Sequence, residues 1–388
     1  MTDLVATAAR LAPRFAGRAA AHDDAGDFPT ADFDDLRQAG LLGVLVPPRL
    51  GGVGAGFAEY AAVAYELAQG NGATALVFNM HASVTGAMAA VDDGLAEALG
   101  IPPAALAARD TLLRAAADGA FYAVAMSERG AGSRLSQLAT IYEPVPGGFR
   151  ITGAKTFVSG AGYADGYLVA ARHADDQQVV SQFLVPADAA GLSVERSWDS
   201  LGMRATRSDD LHLAVTVPAS ALLGGVEGLA LAVAQLAPHW LVASYAAVYV
   251  GVAQAAVTAA AAHVSERGLG RLPAVRARLG RADAAVAAAH QVVREAARRV
   301  DAAPGDPETN RWVWRAKLLA GTTASEVTAS LLEAAGTSAS RRGHPLERLF
   351  RDARCGSLQP ATSDVCADWL GVAVLGGDPD ADAAAPRW

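Results

Sequence analysis

The spacing of apolar residues changes twice along the chain and divides it into three parts. Up to about residue 118, apolar residues recur at helical spacing, as at Leu11 and Phe15 near the start. From about residue 120 to 218, apolar and polar residues alternate in short runs separated by glycine and proline. Helical spacing then returns from about residue 222 to 375. The pattern predicts helices, then strands, then helices.

This order predicts a mostly helical α+β fold, in which an orthogonal helical bundle surrounds a small β-sandwich or barrel. We expect an N-terminal all-α domain over residues 1–118, a middle β domain over 119–221, a C-terminal helical bundle over 222–376, and a poorly ordered tail over 377–388. The helices predicted in the bundle are Val226–Gln235, Trp240–Ser265, Pro273–Asp301, Glu308–Ala335, Leu346–Ala353 and Ser363–Val374.

One apolar stretch is long enough to raise the question of a membrane span. No Asp, Glu, Lys or Arg occurs from Gly228 to Val264, and about 20 apolar residues suffice to cross a bilayer. Pro238 and several polar residues interrupt the stretch, and much of it is alanine, which is only weakly hydrophobic. We therefore expect two buried helices that meet near Pro238, and no membrane segment.

Composition and charge argue against several classes of partner. The 388 residues include 32 basic and 40 acidic ones, giving a net charge of −8, and no basic cluster is typical of nucleic-acid binding. The two cysteines, Cys355 and Cys366, are too few for a disulfide scaffold and indicate a reduced, cytoplasmic protein. The eight histidines show no metal-ligand spacing. We expect no nucleic acid and no metal.

Candidate chemistry begins in the stretch Phe121–Arg134, FYAVAMSERGAGSR. It starts as an alternating strand and breaks into a loop that contains Gly130 and Gly132. Such a loop can present several backbone N–H groups and the Ser133 hydroxyl to one ligand. On its own, however, a glycine turn after a strand is a weak signal.

Two further motifs make the signal specific. Residues 127–134 read SERGAGSR, residues 153–161 read GAKTFVSGA, and residues 201–206 read LGMRAT. In this order they resemble the loop, the flavin strand and the L-G-[MQ]-R motif of the acyl-CoA dehydrogenase superfamily of flavoproteins. The resemblance covers nearly the whole chain. It implies that superfamily's fold and a flavin-dependent oxidoreductase.

The resemblance also implies which residues hold the flavin. Ser127 would face the pyrimidine side of the ring and Ser159 the N5 region, and Arg267 would approach the adenine end from a neighbouring subunit. The adenine-end motif is incomplete, so FAD is expected and FMN is an alternative. A shared site implies a homotetramer or a homodimer. The cofactor-binding candidates are Met126, Ser127, Ser133, Phe157, Val158, Ser159, Arg267 and Thr362.

The catalytic base of the superfamily is missing. Dehydrogenation of an acyl thioester needs a carboxylate to accept the α-proton. Of the two positions where the resemblance places this glutamate, one holds Pro360 and the other Leu241. Glu128, His239, Asp364 or a water molecule could replace it. The candidates that we carry forward as catalytic are His81, His239 and Gln359.

Three functions stay open. The favoured one is oxidation of an acyl thioester on CoA or a carrier protein, with an atypical base and an electron-transfer flavoprotein as partner. A second is a two-component flavin monooxygenase supplied by a flavin reductase and acting on another small molecule. In its favour, residues 335–352 resemble a stretch of such monooxygenases, and His81 lies near where several carry a histidine. The third is a catalytically degenerate flavin-binding subunit.

Overall fold

The N-terminal part of the chain is helical, as the apolar spacing predicts. The computed structural model describes residues 3–240 and 242–381. Six α-helices precede the first strand in this part of the structure: α1 (Leu4–Ala25), α2 (Thr30–Gln38), α3 (Phe57–Gly70), α4 (Gly72–Ala89), α5 (Asp93–Ala98) and α6 (Pro103–Ala117). The carboxylate of Asp3 accepts a hydrogen bond from the Ala6 amide at 2.9 Å and so begins α1. Helix α4 is buried on nearly all sides.

The middle part is a single sheet in the described residues. Its strands are β1 (Tyr122–Ala125), β2 (Ile141–Val145), β3 (Gly148–Ser159), β4 (Gly166–His173), β5 (Val180–Pro186), β6 (Leu192–Glu195) and β7 (Ser208–Pro218). They form a seven-stranded sheet in the order β1-β4-β2-β3-β7-β6, and β5 pairs with β4. The pairing is mixed, since β4 runs parallel to β1 and β2 and antiparallel to β5.

The register of β3 against β7 shifts in one place. Lys155 pairs with Leu211 and Val158 with Asp209, so β3 contains one residue more than β7 over this interval. Such a β-bulge turns a side chain away from the regular alternation. Here the residue turned out of the sheet is Phe157, which is 61% exposed.

The C-terminal part is a helical bundle. It comprises α7 (Leu229–Leu236), α8 (Ala243–Glu266), α9 (Pro273–Ala302), α10 (Pro307–Ala335), α11 (Pro345–Arg354) and α12 (Ser363–Val374). Helices α8, α9 and α10 pack on one another, and α3 of the N-terminal part packs against α8 and α9. One apolar core runs through all three parts, from Leu4 in α1 to Trp369 in α12.

Side chains of α11 tie the sheet to both helical parts. The carboxylate of Asp352 accepts a hydrogen bond from the Met203 amide at 2.6 Å. Arg351 donates to the Leu201 carbonyl at 3.0 Å and forms a buried ion pair with Asp23 of α1 at 2.5 Å. The LGMRAT motif is therefore fixed to α11 and α1, and this anchors one edge of the sheet.

The predicted α–β–α order and fold class are confirmed, whereas the exact domain boundaries stay a prediction. The charge-free stretch forms α7 and α8 with Pro238 between them, as expected. The segment Pro238–Glu266 is long and apolar enough to cross a membrane, yet 76% of its most apolar window is buried inside the protein. Residues 382–388 of the predicted poorly ordered tail lie outside the described residues.

Candidate functional site

The loop after β1 turns on two glycines. Glu128 and Gly132 exchange two backbone hydrogen bonds of 2.9 Å each, which close residues 128–132 into a tight turn. Gly130 and Gly132 have φ angles of 94° and 62°, a left-handed conformation that glycine adopts without strain. Ser133 follows the turn and is half-buried. The protein's own hydrogen bonds therefore shape this loop.

A buried ion pair holds the loop against the sheet. Lys155 Nζ lies 2.6 Å from Glu128 Oε1, and the Glu128 carboxylate also accepts hydrogen bonds from the amides of Ala139, at 2.5 Å, and Thr140, at 3.1 Å. Burial raises the pKa of Glu128, but Lys155 and these hydrogen bonds outweigh burial and lower it overall. Glu128 is thus held by contacts within the protein, which do not support its suggested role as the catalytic base, and that role stays untested.

Phe157 and Ser127 form an open face at the end of the loop. The Thr156 amide donates to the Ser127 carbonyl at 2.9 Å, which brings the loop beside the bulge of β3. Phe157 has a φ of 58°, and the Trp198 ring meets it edge-on with centroids 6.0 Å apart. Since Phe157 is exposed and Ser127 half-buried, a planar ring system can stack here, and these residues fit a flavin.

The other two residues of the flavin strand point into the protein. Val158 is completely buried, so only its backbone remains for a cofactor. The Ser159 hydroxyl lies 2.9 Å from that of Ser208, which in turn lies 2.7 Å from that of Thr206. Ser159 is 7% exposed. Its hydroxyl belongs to a buried hydrogen-bond chain in this structure, and its contact with flavin N5 stays a prediction.

A cavity of about 440 Å³ lies between the sheet and the helices. Its walls come from α4, α5 and α6, from β1, β4 and β5, from α7, and from the turn between α9 and α10. Met126, a predicted cofactor-binding residue, lies in the wall, as does His239. No carboxylate lines the cavity in the part of the chain that the structure describes. Its size and apolar walls are typical of a small-molecule site.

His239 places an imidazole in the wall of this cavity. It lies in the short 3-10 helix Pro238–Trp240 and is 4% exposed. Its ring packs edge-on against Phe57, with centroids 5.4 Å apart. Burial lowers the pKa of His239 to about 4, so the ring is neutral at pH 7. Its buried Nδ1 has no hydrogen-bond partner within residues 3–240 and 242–381.

His81 is a different kind of histidine. It is completely buried in α4, where its Nε2 lies 2.7 Å from the Leu42 carbonyl oxygen. Its Nδ1 accepts a hydrogen bond from the Tyr122 amide at 3.1 Å, so Nε2 carries the proton and donates. Burial lowers the pKa of His81 to about 4. Both ring nitrogens are occupied within the protein, and the geometry does not support the catalytic role predicted for His81.

The loop that follows α11 contains Pro360 where the resemblance places a glutamate. Next to it, Gln359 Oε1 accepts a hydrogen bond from the Tyr249 hydroxyl at 2.6 Å. Thr362 accepts one from the Val365 amide at 3.3 Å and so begins α12. These contacts are structural, and a direct role for Gln359 or Thr362 stays a prediction. Leu241, the other glutamate position, lies outside the described residues.

Lys317 is a residue of this region that the motifs did not reveal. Its buried ammonium donates to three carbonyl oxygens of the loop, those of Gly356, Ala361 and Gln359, at 2.9, 3.0 and 3.2 Å. Burial lowers the pKa of Lys317 to about 8. A signal was present in the sequence, because Lys155 and Lys317 are its only lysines among 32 basic residues.

The remaining candidates lie at the surface. Arg267 is exposed and ends α8, roughly 27 Å along the helix axis from Tyr249 at 1.5 Å per residue. Arg267 is therefore not part of the cluster around Tyr249 and Gln359 of the same chain. Asp364 is exposed in the first turn of α12. The structure thus brings Met126 and His239 to one cavity and Ser127 and Phe157 to one open face.

Three family models match successive parts of the chain. They describe the N-terminal domain of acyl-CoA dehydrogenase over residues 2–96, its middle domain over 123–215 and its C-terminal domain over 243–362. The first match covers helices of the N-terminal part, the second the sheet and the third most of the bundle.

Individual relatives differ in their reactions. The chain is 32% identical to L-evernosamine nitrososynthase of Micromonospora sp., over 96% of this chain and 90% of that protein. It is 29% identical to benzylmalonyl-CoA dehydrogenase of Aromatoleum aromaticum, over 91% of each. Among solved structures, FMN-bound TdsC of Paenibacillus sp. A11-2, a dibenzothiophene monooxygenase, superposes with a TM-score of 0.85 at 26% identity, covering 97% of this chain and 98% of that one.

Proposed function

The chain belongs to the acyl-CoA dehydrogenase family, and within it we propose a flavin-dependent monooxygenase that receives reduced flavin from a separate reductase. Membership of the family confirms the resemblance seen in the sequence. Its members include dehydrogenases, a nitrososynthase and a monooxygenase. The observation that carries the choice among them is the cavity beside Met126, which holds the imidazole of His239 and no carboxylate in the described structure.

The missing carboxylate argues against dehydrogenation. That reaction takes a proton from carbon while a hydride leaves the neighbouring carbon, so it needs a base close to the substrate. In the described structure, His239 and Arg109 are the ionisable residues in the cavity wall. Because burial lowers the pKa of His239 to about 4, its imidazole holds a proton roughly 300-fold less tightly than an ordinary histidine does. Such a weak base is poorly suited to a carbon acid.

Oxygenation makes a different demand on the protein. Reduced flavin supplies two electrons, and molecular oxygen supplies one atom to the substrate and one to water. The chain's own residues would position the reactants. Phe157 and Ser127 offer a face for the flavin ring, the apolar walls disfavour water in the cavity, and His239 offers a neutral hydrogen-bonding group. No residue of the cavity needs to remove a proton from carbon.

The proposal is tested by following the flavin and oxygen together. The purified protein is mixed with FMN or FAD, a flavin reductase and NADH, and oxygen uptake and products are followed over a panel of small molecules. We expect a product one oxygen atom heavier than its substrate, formed only when reductase and protein are both present. Anaerobic bleaching of the flavin by an acyl-CoA, with no oxygenated product from the panel, would overturn it.

Oxidation of an acyl thioester is the second candidate. The position of His239 favours it, because an imidazole in the cavity wall could accept a proton in place of the missing glutamate. An electron-transfer flavoprotein would then be the electron acceptor. The anaerobic bleaching described above distinguishes the two reactions, and failure to bind any flavin would support a degenerate subunit instead.

Several expectations accompany the proposal. The cofactor is a flavin, and we propose that the chain accepts it as FAD, with FMN as the alternative that the reconstitution tests. A homotetramer or homodimer and a cytoplasmic location stay predictions. The two thiols are free in the structure, as a reducing compartment requires.

A further inference from the structure

The cavity has almost no capacity to bind a charged ligand. Arg109 is the cation in its described wall. Its guanidinium already donates to the Val91 carbonyl at 2.5 Å and to the Asp110 carboxylate at 2.7 and 3.0 Å. The donors of Arg109 are therefore engaged within the protein, although Arg49 pairs with the same carboxylate at 2.6 Å. A phosphate or carboxylate placed inside the cavity would lose its hydration without gaining a free cation.

The few other polar groups of the wall differ in whether they already have a hydrogen-bond partner. The Ser83 hydroxyl lies 2.8 Å from the carbonyl oxygens of both Asn79 and Trp240. The Gln182 amide lies 3.9 Å from Met126 Sδ, a weak contact. His239 Nδ1 and Trp240 Nε1 are buried in this wall, and neither atom has a hydrogen-bond partner in the described part of the chain. Because an unpaired buried polar group is costly, a ligand gains most at these two neighbouring residues, and of the two the neutral imidazole can both donate and accept a hydrogen bond.

We infer that the cavity takes a neutral, mainly apolar molecule of about two rings, held by one hydroxyl or amine that hydrogen-bonds to His239. The inference rests on the proposed function in taking this cavity as the substrate site. The volume of about 440 Å³ lies at the lower end of the range for small-molecule sites, which is roughly 300–1,000 Å³. Helix α7 contributes small and aliphatic side chains, such as Ala230 and Val233, to the wall.

Three probes with the same ring system test the inference. Naphthalene offers no hydrogen bond, 2-naphthol offers a neutral hydroxyl, and 2-naphthoate offers an anion. Dissociation constants are measured by fluorescence titration at pH 7, without flavin or oxygen. We expect 2-naphthol to bind about 3- to 10-fold more tightly than naphthalene, and 2-naphthoate to bind about 100-fold more weakly than 2-naphthol.

Variants assign these differences to individual residues. His239→Leu should abolish the preference for 2-naphthol over naphthalene, whereas His239→Gln, which keeps a hydrogen-bonding group, should retain part of it. Ala230→Phe, which fills the cavity from α7, should weaken both probes about equally. Circular dichroism tests whether each variant is folded. If His239→Leu is unfolded, the preference for 2-naphthol over naphthalene is compared between His239→Gln and Ala230→Phe instead.

Two results would overturn the inference. One is tighter binding of 2-naphthoate than of 2-naphthol, which would mean that Arg109 recognises an anion. The other is a preference for 2-naphthol that survives in a folded His239→Leu variant. If His239→Leu is unfolded, a preference that is not reduced in His239→Gln would overturn the inference instead. Because the titration needs no turnover, oxygenation can fail while this binding pattern holds, and oxygenation can succeed while the pattern fails. The two proposals are therefore tested separately.

Discussion

Lys155 Nζ and Glu128 Oε1 lie 2.6 Å apart, and the two side chains are almost wholly buried. The pair fastens the glycine loop to strand β3. Lys155→Met would leave a buried carboxylate without its cation, so we expect a loss of about 3–5 kcal/mol in the free energy of unfolding. Urea titration measures it. The double variant Lys155→Met/Glu128→Gln removes the buried charge and should recover part of the loss, whereas a single variant as stable as the wild type would contradict the role of the pair.

His239 should make the protein sensitive to mild acid. Its pKa in the folded state is about 4, below the ordinary 6.5, so the unfolded chain binds the proton more tightly. Stability is therefore lost as pH falls from 6.5 towards 4, by about 2 kcal/mol between pH 7 and pH 5 for this residue. Over the same interval, the free energy of unfolding of His239→Leu should fall by about 2 kcal/mol less than that of the wild type. Equal acid sensitivity in urea titrations of the two proteins would show that the folded pKa is ordinary.

Both lysines should resist amine-reactive reagents in the native protein. Lys155 and Lys317 are the only lysines of the sequence, and each is 1% exposed. Their lowered pKa values, about 8, would make them reactive if reagent could reach them. We expect an N-hydroxysuccinimide ester to leave both lysines unmodified in the native protein and to modify both once urea is added, as peptide mass spectrometry can establish. Labelling of a lysine as fast in the native protein as in urea would contradict its burial.

Local patterns were sufficient for the architecture. The predicted helices Pro273–Asp301 and Glu308–Ala335 agree within one residue at each end with α9 and α10, because prolines begin them and a long apolar face continues through them. The strands likewise fall within the stretch where alternation and turn residues predict a β domain. Phe157 was also proposed from a short motif, and the structure leaves its ring exposed, whereas its contact with a flavin stays a prediction.

Long-range contacts decided the rest. The sequence does not reveal that both ring nitrogens of His81 are occupied. Their partners, the Leu42 carbonyl and the Tyr122 amide, are 39 and 41 residues away. The sequence near Glu128 does not reveal its cationic partner, because Lys155 lies 27 residues further on, in strand β3. The three carbonyl oxygens that bind Lys317 come from a loop about 40 residues further on. No local pattern reports such pairings, although the rarity of lysine marked both of its positions.

The most direct test of the flavin site is the variant Phe157→Gly. Phe157 adopts a φ of 58°, which costs a non-glycine residue roughly 1–2 kcal/mol, and its ring is mostly exposed. Removing the ring should therefore leave the free energy of unfolding unchanged or raise it by up to about 1 kcal/mol. The dissociation constant for FMN or FAD should nevertheless rise by about 10-fold or more, since the flavin loses the ring on which it stacks.

The measurement is the flavin dissociation constant, by fluorescence titration, of the wild type, of Phe157→Gly and of a control variant. The control is Val374→Ala, at an exposed position of α12. We expect weaker flavin binding in Phe157→Gly alone, with no loss of stability. Equal flavin affinity in all three proteins would contradict it.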